Sequence, residues 1–254
     1  MRIEQSFIPV RGVGEATERT LWEAGVTCWD EFDPGLVGET TAERIEAFLA
    51  EATGPLARGD ADFFDRRFPS GERWRLYENF REDAAFFDIE TTGLDHDRDR
   101  VTTVSCHRAG ETTTLVRGDD LTADALRDLL ADAPLLVTFN GARFDVPFLE
   151  TSFGVDLDRP HLDLIYPCRS LDLTGGLKTV ERDLGIERDR PDISGRDAVR
   201  LWREYESGDG AALDTLVSYN RDDAVNLRAL ADRVSARLHR RRVPERGPPA
   251  PDWA

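Results

Sequence analysis

The chain has 254 residues, with 33 Lys+Arg against 50 Asp+Glu, a formal net charge of -17 and a sequence pI of about 4.7. That length suits one large domain, or a medium domain beside a small one, and the three cysteines, Cys28, Cys106 and Cys168, lack the CxxC spacing of a disulfide framework or a zinc site. Of the basic residues only Lys178 is lysine, and an acidic, arginine-retaining surface fits a halophile's cytosol. Molar salt shortens the Debye length to roughly 3 Å, so the negative charge does not exclude a nucleic-acid partner.

"MRIEQSFIPVRG" has no charged-then-apolar leader, and no apolar run reaches about 18 residues, so a soluble, cytoplasmic protein without a membrane partner is expected. Residues 1–80 read as a small all-helical domain and connector. Ala16, Leu21 and Ala24 fall in helical register, as do Ile45, Phe48 and Leu49, with turn signals at Gly25 and "DPG". The connector that follows is charged, with aromatics interleaved. From Ala84 the pattern changes to alternating strand and helix. Strands are expected near 84–91, 101–108, 111–117, 134–139 and 161–166, and helices at 122–132, 143–152, 177–184, 194–206 and 211–238. A tight "RAGE" turn joins the second and third strands, so an α/β fold follows: a mixed five-stranded sheet with helices on both faces, over 81–240. Residues 241–254 read as a disordered tail.

"AAFFDIETTGLD" sets two acids in an apolar strand. Asp88 and Glu90, two apart, share a face with Phe86 near the strand's C-terminal end, where ligands bind in open α/β sheets. Two buried carboxylates need protons, arginines or metal, and hard oxygen donors suit Mg²⁺ or Mn²⁺. Taken alone, the pair is as well explained by a structural salt bridge. In "LLVTFNGARFDVPFLE" a strand breaks at Asn140-Gly141 and brings Asp145 into the first turn of a helix. In "LVSYNRDDAVNL" Tyr219 and Asp223 stand four apart on one helical face, with Asp222 the competing acid.

"DIETTGL", "TFNGARFDVPFL" and "YNRDDAVNL" resemble, in order, the three motifs of the DEDDy branch of the DnaQ-like 3′→5′ exonucleases, most closely the ribonuclease H-like YprB group, over Ala84 to Leu230. The resemblance implies a ribonuclease H-like fold and a metal-dependent 3′→5′ exonuclease acting on single-stranded DNA or RNA ends. Asp88, Glu90, Asp145 and Asp223 would hold two divalent cations, Mg²⁺ or Mn²⁺, and Tyr219 would help orient the attacking water. It further implies that Thr91, Thr92, Gly93 and Leu94 line the nucleotide pocket, with Leu94 wedged against the last base, and that Asn140 contacts the terminal nucleotide. Serine, not histidine, stands five before Asp223, which favours the tyrosine branch. Asp163 is a conditional fifth acid.

"IPVRGVGEATERTLWEAG" looks like the Gly-x-Gly hairpin of helix–hairpin–helix modules. Gly12 and Gly14 would then bring backbone N–H groups to a phosphate, although Glu15 and Glu18 stand near that place; a packing role is the other reading. The basic run "RLHRRRVPER" is either a solvated helix end or a phosphate contact. Against the nuclease stand a non-catalytic nucleic-acid-binding or scaffold protein on the same core and a structure-selective endonuclease.

Overall fold

The computed structural model describes residues 1–253, and the chain divides into two compact units: Glu82–Ala231, and residues 1–81 together with the segment from Asp232 onward. No helix among the described residues is long and apolar enough to cross a membrane.

The first unit contains α1 (Glu15–Glu23), α2 (Glu39–Ala57), α3 (Ala61–Asp65) and α4 (Tyr77–Phe80), with short 3-10 turns between them. The connector's aromatics, among them Phe63, Phe64, Phe68, Trp74 and Tyr77, are buried, which turns that segment into core. Glu18 lies at the unit's centre. Its carboxylate accepts hydrogen bonds from Ser6 Oγ (2.7 Å) and the Phe7 backbone N–H (2.8 Å) and pairs with Arg75 at 3.0 Å. A buried ion pair of this kind is tolerated because the remaining donors and acceptors are also engaged. Glu18 is therefore a packing anchor and does not face a phosphate. The expectation of a disordered tail from 241 also differs from the structure. Trp253 sets its ring edge-on to Tyr77 at 6.2 Å, and the Arg81 guanidinium lies 4.6 Å from the same ring. Composition rich in Pro, Gly and Arg hides one large aromatic anchor.

The second unit is built on β1 (Ala85–Thr91), β2 (Val101–Arg108), β3 (Glu111–Val116), β4 (Leu136–Thr138) and β5 (His161–Asp163), in the order β3-β2-β1-β4-β5. β1 pairs antiparallel with β2 and parallel with β4, and β4 pairs parallel with β5, so the sheet is mixed as expected. Alternation along β1 divides its side chains. Ala85, Phe87 and Ile89 join Val104, Leu126, Leu130, Phe148 and Leu149 in a buried cluster that includes α5 (Ala123–Leu130) and α6 (Asp145–Phe153). Phe86, Asp88 and Glu90 take the opposite face. The β1–β2 register slips between Glu90 and Thr91, opposite Thr103 and Val101 respectively, which leaves Thr102 as the extra residue on β2. Such a bulge re-aims the strand end just past the two acids.

The remaining helices are α7 (Ile165–Ser170), α8 (Leu177–Leu184), α9 (Gly195–Glu206) and α10 (Gly210–Arg242). β5 is shorter than expected and gives way to α7 at once. Asp163 ends it by accepting from the Ile165 backbone N–H at 3.1 Å, a local side-chain bond that competes with strand pairing.

Candidate active site

Asp88 and Glu90 project from β1 toward α10, where the Asn220 side-chain amide donates to Asp88 Oδ2 at 2.8 Å. One turn of α10 beyond Tyr219, Asp223 completes the set: carboxylate oxygens of Asp88, Glu90 and Asp223 lie within 4.8 Å of one another. Asp222 points elsewhere and accepts from the Arg190 backbone N–H at 3.2 Å. Of the two acids, the helix face brings Asp223 to Asp88 and Glu90.

Asp145 begins α6 and is buried. It stands outside the 4.8 Å trio, yet it is near enough that its charge raises the pKa of Glu90 and the charge of Asp88 raises its own. Burial is the larger cause in both. Burial also pushes the Asp88 carboxyl up to about 7, against a stabilising bond from Asn220 and the positive charge of Arg188. All three groups therefore bind protons more tightly than ordinary carboxylates unless a cation joins them.

The turn before Asp145 is fixed by another acid. Asp163 accepts from the backbone N–H groups of Asn140 (2.7 Å) and Ala142 (3.1 Å) as well as from Ile165. Asn140 adopts the left-handed conformation at φ 65°, tolerated by a short polar side chain. At Gly141 a Cβ would lie 2.3 Å from Thr138 Oγ1 and 2.6 Å from Thr138 Cβ, so only glycine lets the turn pass over β4. Asp163 thereby anchors the turn that precedes Asp145.

Tyr219 is buried, and its phenol pKa is raised by burial and by the charges of Glu90 and Asp88. The Lys178 Nζ lies 4.7 Å, and the Arg188 Cζ 5.7 Å, from its ring centroid. Arg188 bridges Glu181 and Asp223, all three side chains being almost fully buried. A cavity of about 360 Å³ opens over Asp88, Glu90, Tyr219 and Asp223 and is walled by Phe139, Lys178, Thr179 and Ser194.

The five expected site residues are therefore gathered in one place. The loop Thr91–Leu94 continues directly from β1. Thr92 Oγ1 accepts from the Arg100 backbone N–H at 3.0 Å, and Leu94 is 85% exposed. Asn140 lies in the turn anchored by Asp163 and does not line the cavity. Gly12, at φ 92°, and Gly14, the N-terminal cap of α1, belong to the first unit. There Arg242 pairs with Glu15 in the first turn of α1 and with Glu72 at 2.6 Å, so this arginine of the basic run already has acidic partners. Sequence reasoning missed Asn220, Glu181 and Arg188. Asn220 sits beside Tyr219 inside a quoted motif, whereas the Glu181–Arg188 pair reaches across the Gly185 turn that ends α8 and leaves no periodic trace.

A family model described as the RNase_H superfamily matches residues 85–235. No curated protein matches the chain. Similar solved structures include a nuclease in its apo form, 26% identical with a TM-score of 0.47, covering 63% of this chain and 75% of that one. The family B DNA polymerase of the hyperthermophilic archaeon Pyrobaculum calidifontis is 21% identical with a TM-score of 0.46, over 62% of this chain but 24% of the polymerase. Brucella melitensis NrnC with bound Mg²⁺ is 23% identical with a TM-score of 0.45, over 65% of this chain and 78% of that one. At these TM-scores the likenesses carry no functional argument, and function is argued from the family and the site.

Proposed function

The chain belongs to the RNase H superfamily, and we propose that within it the protein is a metal-dependent nuclease that removes nucleotides from the 3′ ends of single-stranded DNA or RNA. The observation that carries the proposal is the convergence of Asp88, Glu90 and Asp223 within 4.8 Å, in one cavity with Tyr219, and with the buried Asp145 close enough to act on Glu90 and Asp88 by its charge. Charge balance tests whether a metal fits. Five carboxylates, Asp88, Glu90, Asp145, Glu181 and Asp223, face two cations, Arg188 and Lys178, which leaves three negative charges in a largely buried site. Oxygen donors with that excess suit hard divalent cations.

Asp88, Glu90, Asp145 and Asp223 would hold two such ions, Mg²⁺ or Mn²⁺, which when bound supply an activated water and neutralise the charge of the phosphodiester being cut. The protein's own groups do the rest. Tyr219, with its pKa raised, keeps its proton and acts by orienting the water through a hydrogen bond. Asn220 fixes the rotamer of Asp88. Asp163 holds the turn that delivers Asp145. Thr91, Thr92, Gly93 and Leu94, at the mouth of β1, and Asn140 are proposed to receive the terminal nucleotide, with exposed Leu94 wedged against its base. Gly12 and Gly14 remain candidates for a backbone contact to more distant phosphates.

A second reading, a nucleic-acid-binding protein that does not cleave, draws on one observation: Arg188 already neutralises Asp223. The experiment that separates them is digestion of 5′-labelled single-stranded DNA and RNA with Mn²⁺ or with chelator, in molar KCl. A ladder shortening from the 3′ end, absent with chelator and absent for Asp145→Asn, is expected. Internal cuts would overturn the exonuclease reading, and binding without products or Mn²⁺ uptake would favour the second.

A further inference from the structure

Lysine occurs once in the whole chain, and that one residue lines the cavity of the carboxylate cluster. Every other basic position is arginine, so whatever selects arginine across the surface has been resisted at 178. The two side chains differ in the way that matters in a small cavity. Arginine presents a broad planar fork, whereas lysine is a compact point charge with three freely directed donors.

The Lys178 ammonium is uncommitted. It makes no hydrogen bond and no ion pair among the described residues, although the site is rich in carboxylates; its ammonium lies 4.7 Å from the Tyr219 ring. Arg188 provides the contrast, since both of its terminal nitrogens are engaged by Glu181 and Asp223. One cation of the site is thus spent inside the protein and the other is left to meet something from outside. Burial and the charge of Arg188 pull the Lys178 pKa down from its usual value, against the opposing charges of Glu181, Asp192 and Glu90.

Its position on α8 adds to this. Gly176 caps that helix without a side-chain bond, the first turn holds no acid, and Gly176, Leu177 and Thr179 line the same cavity. The backbone N–H groups at this end carry partial positive charge beside the cavity that Lys178 lines.

We propose that Lys178 is the phosphate-binding residue of the site, its ammonium donating to a non-bridging oxygen of the phosphodiester presented to Asp88, Glu90 and Asp223. The assignment rests on the nuclease reading above and names the part of the substrate that the cavity grips. A cation is needed there for another reason: a nucleic-acid end entering a carboxylate-lined cavity meets like charge, and a free ammonium on the cavity wall offsets it.

The test uses the full chain with Lys178→Met and, as a polar alternative should that variant fold poorly, Lys178→Gln. Nucleotide release from 5′-labelled oligothymidylate is followed over a range of concentrations with Mn²⁺, beside calorimetric Mn²⁺ titration and thermal unfolding. Loss of a charge-assisted contact predicts a fall of about ten-fold or more in kcat/KM, with Mn²⁺ affinity and melting temperature unchanged. A wild-type kcat/KM in a folded variant overturns the proposal, and so does a parallel loss of Mn²⁺ affinity, which would make Lys178 a support for the carboxylates. Should wild-type protein release no nucleotide, the nuclease reading falls by itself. Fluorescence anisotropy with the same, now uncut, oligothymidylate then reads Lys178 directly: affinity about five-fold or more weaker in the variant supports the contact, and equal affinity overturns it.

Discussion

Asp88→Asn removes a negative charge that the metal-free fold holds at a cost. Burial lifts the Asp88 carboxyl from its usual 3.8 to about 7, and at 1.36 kcal/mol per pH unit that interval corresponds to ~4 kcal/mol. Between those two pH values the folded protein keeps a proton at Asp88 that the unfolded chain has lost. The native state then binds more protons, so stability falls as pH rises through the window and the whole cost is present above pH 7. Asparagine carries no such charge, but its bond with Asn220 becomes neutral-to-neutral and weakens by about 1 kcal/mol. The net gain for the metal-free variant at pH 8 is about 2–3 kcal/mol, or a melting temperature raised by roughly 4–12 °C for a chain of this size. At pH 5 the gap should nearly close. Calorimetric melts of both proteins with chelator measure this, and added Mn²⁺ should stabilise the wild type more than the variant. A variant that melts at or below the wild type at pH 8 in chelator would refute the view that Asp88 is a strained charge awaiting a cation.

Tyr219→Phe keeps the ring that Lys178 and Arg188 flank and deletes only the hydroxyl; nucleotide release should slow by about 10²–10⁴-fold with calorimetric Mn²⁺ binding intact, and an unchanged rate removes the phenol from the chemistry. Asp163→Asn sets an amide N–H₂ against backbone donors that now have a carboxylate acceptor, so a loss of about 2–4 kcal/mol in urea unfolding is expected, together with weaker Mn²⁺ binding through a misplaced Asp145; stability within experimental error of wild type would show that the turn does not need its anchor. Removing residues 1–80 while keeping 232–254 should give an aggregating protein, because Val234 and Leu238 are buried and Asp232 is the partner of Tyr77 and Arg81. A fragment 82–231 follows the unit boundary and should stay monomeric by size-exclusion chromatography; a soluble 81–254 fragment would refute that boundary.

The second unit was largely legible from sequence because its signals are local. Period-two alternation gave β1 and its two faces, and the four-residue interval from Tyr219 to Asp223 gave one face of α10. What stayed hidden depends on distant partners. The strand expected over 161–166 takes in the first two residues of α7; it ends sooner, where the Asp163 carboxylate captures the Ile165 N–H, which no periodicity reports. Glu18 looked like an exposed acid near a glycine turn, and only Arg75, far along the chain, explains its burial. The tail reads as solvent-loving by composition, yet Trp253 packs on Tyr77 and Arg81.

Asp163 and Asp88 show why residue type alone did not separate anchor from site. Both are aspartates near the ends of strands, β1 and β5, that flank β4 and run parallel to it. At Asp163 the backbone turns so that three N–H groups converge on one carboxylate, and its negative charge is satisfied within the fold. At Asp88 one amide from Asn220 arrives and the charge of Arg188 acts on it without an ion pair among the described residues, while Glu90, Asp145 and Glu181 add like charge. The fold could have silenced that charge with another arginine, as Arg188 does for Asp223. It leaves Asp88, Glu90 and Asp145 without one. A site that neutralises every acid serves architecture; the concentration of acids beside a free ammonium is the feature on which the proposal of a divalent cation and a phosphate rests.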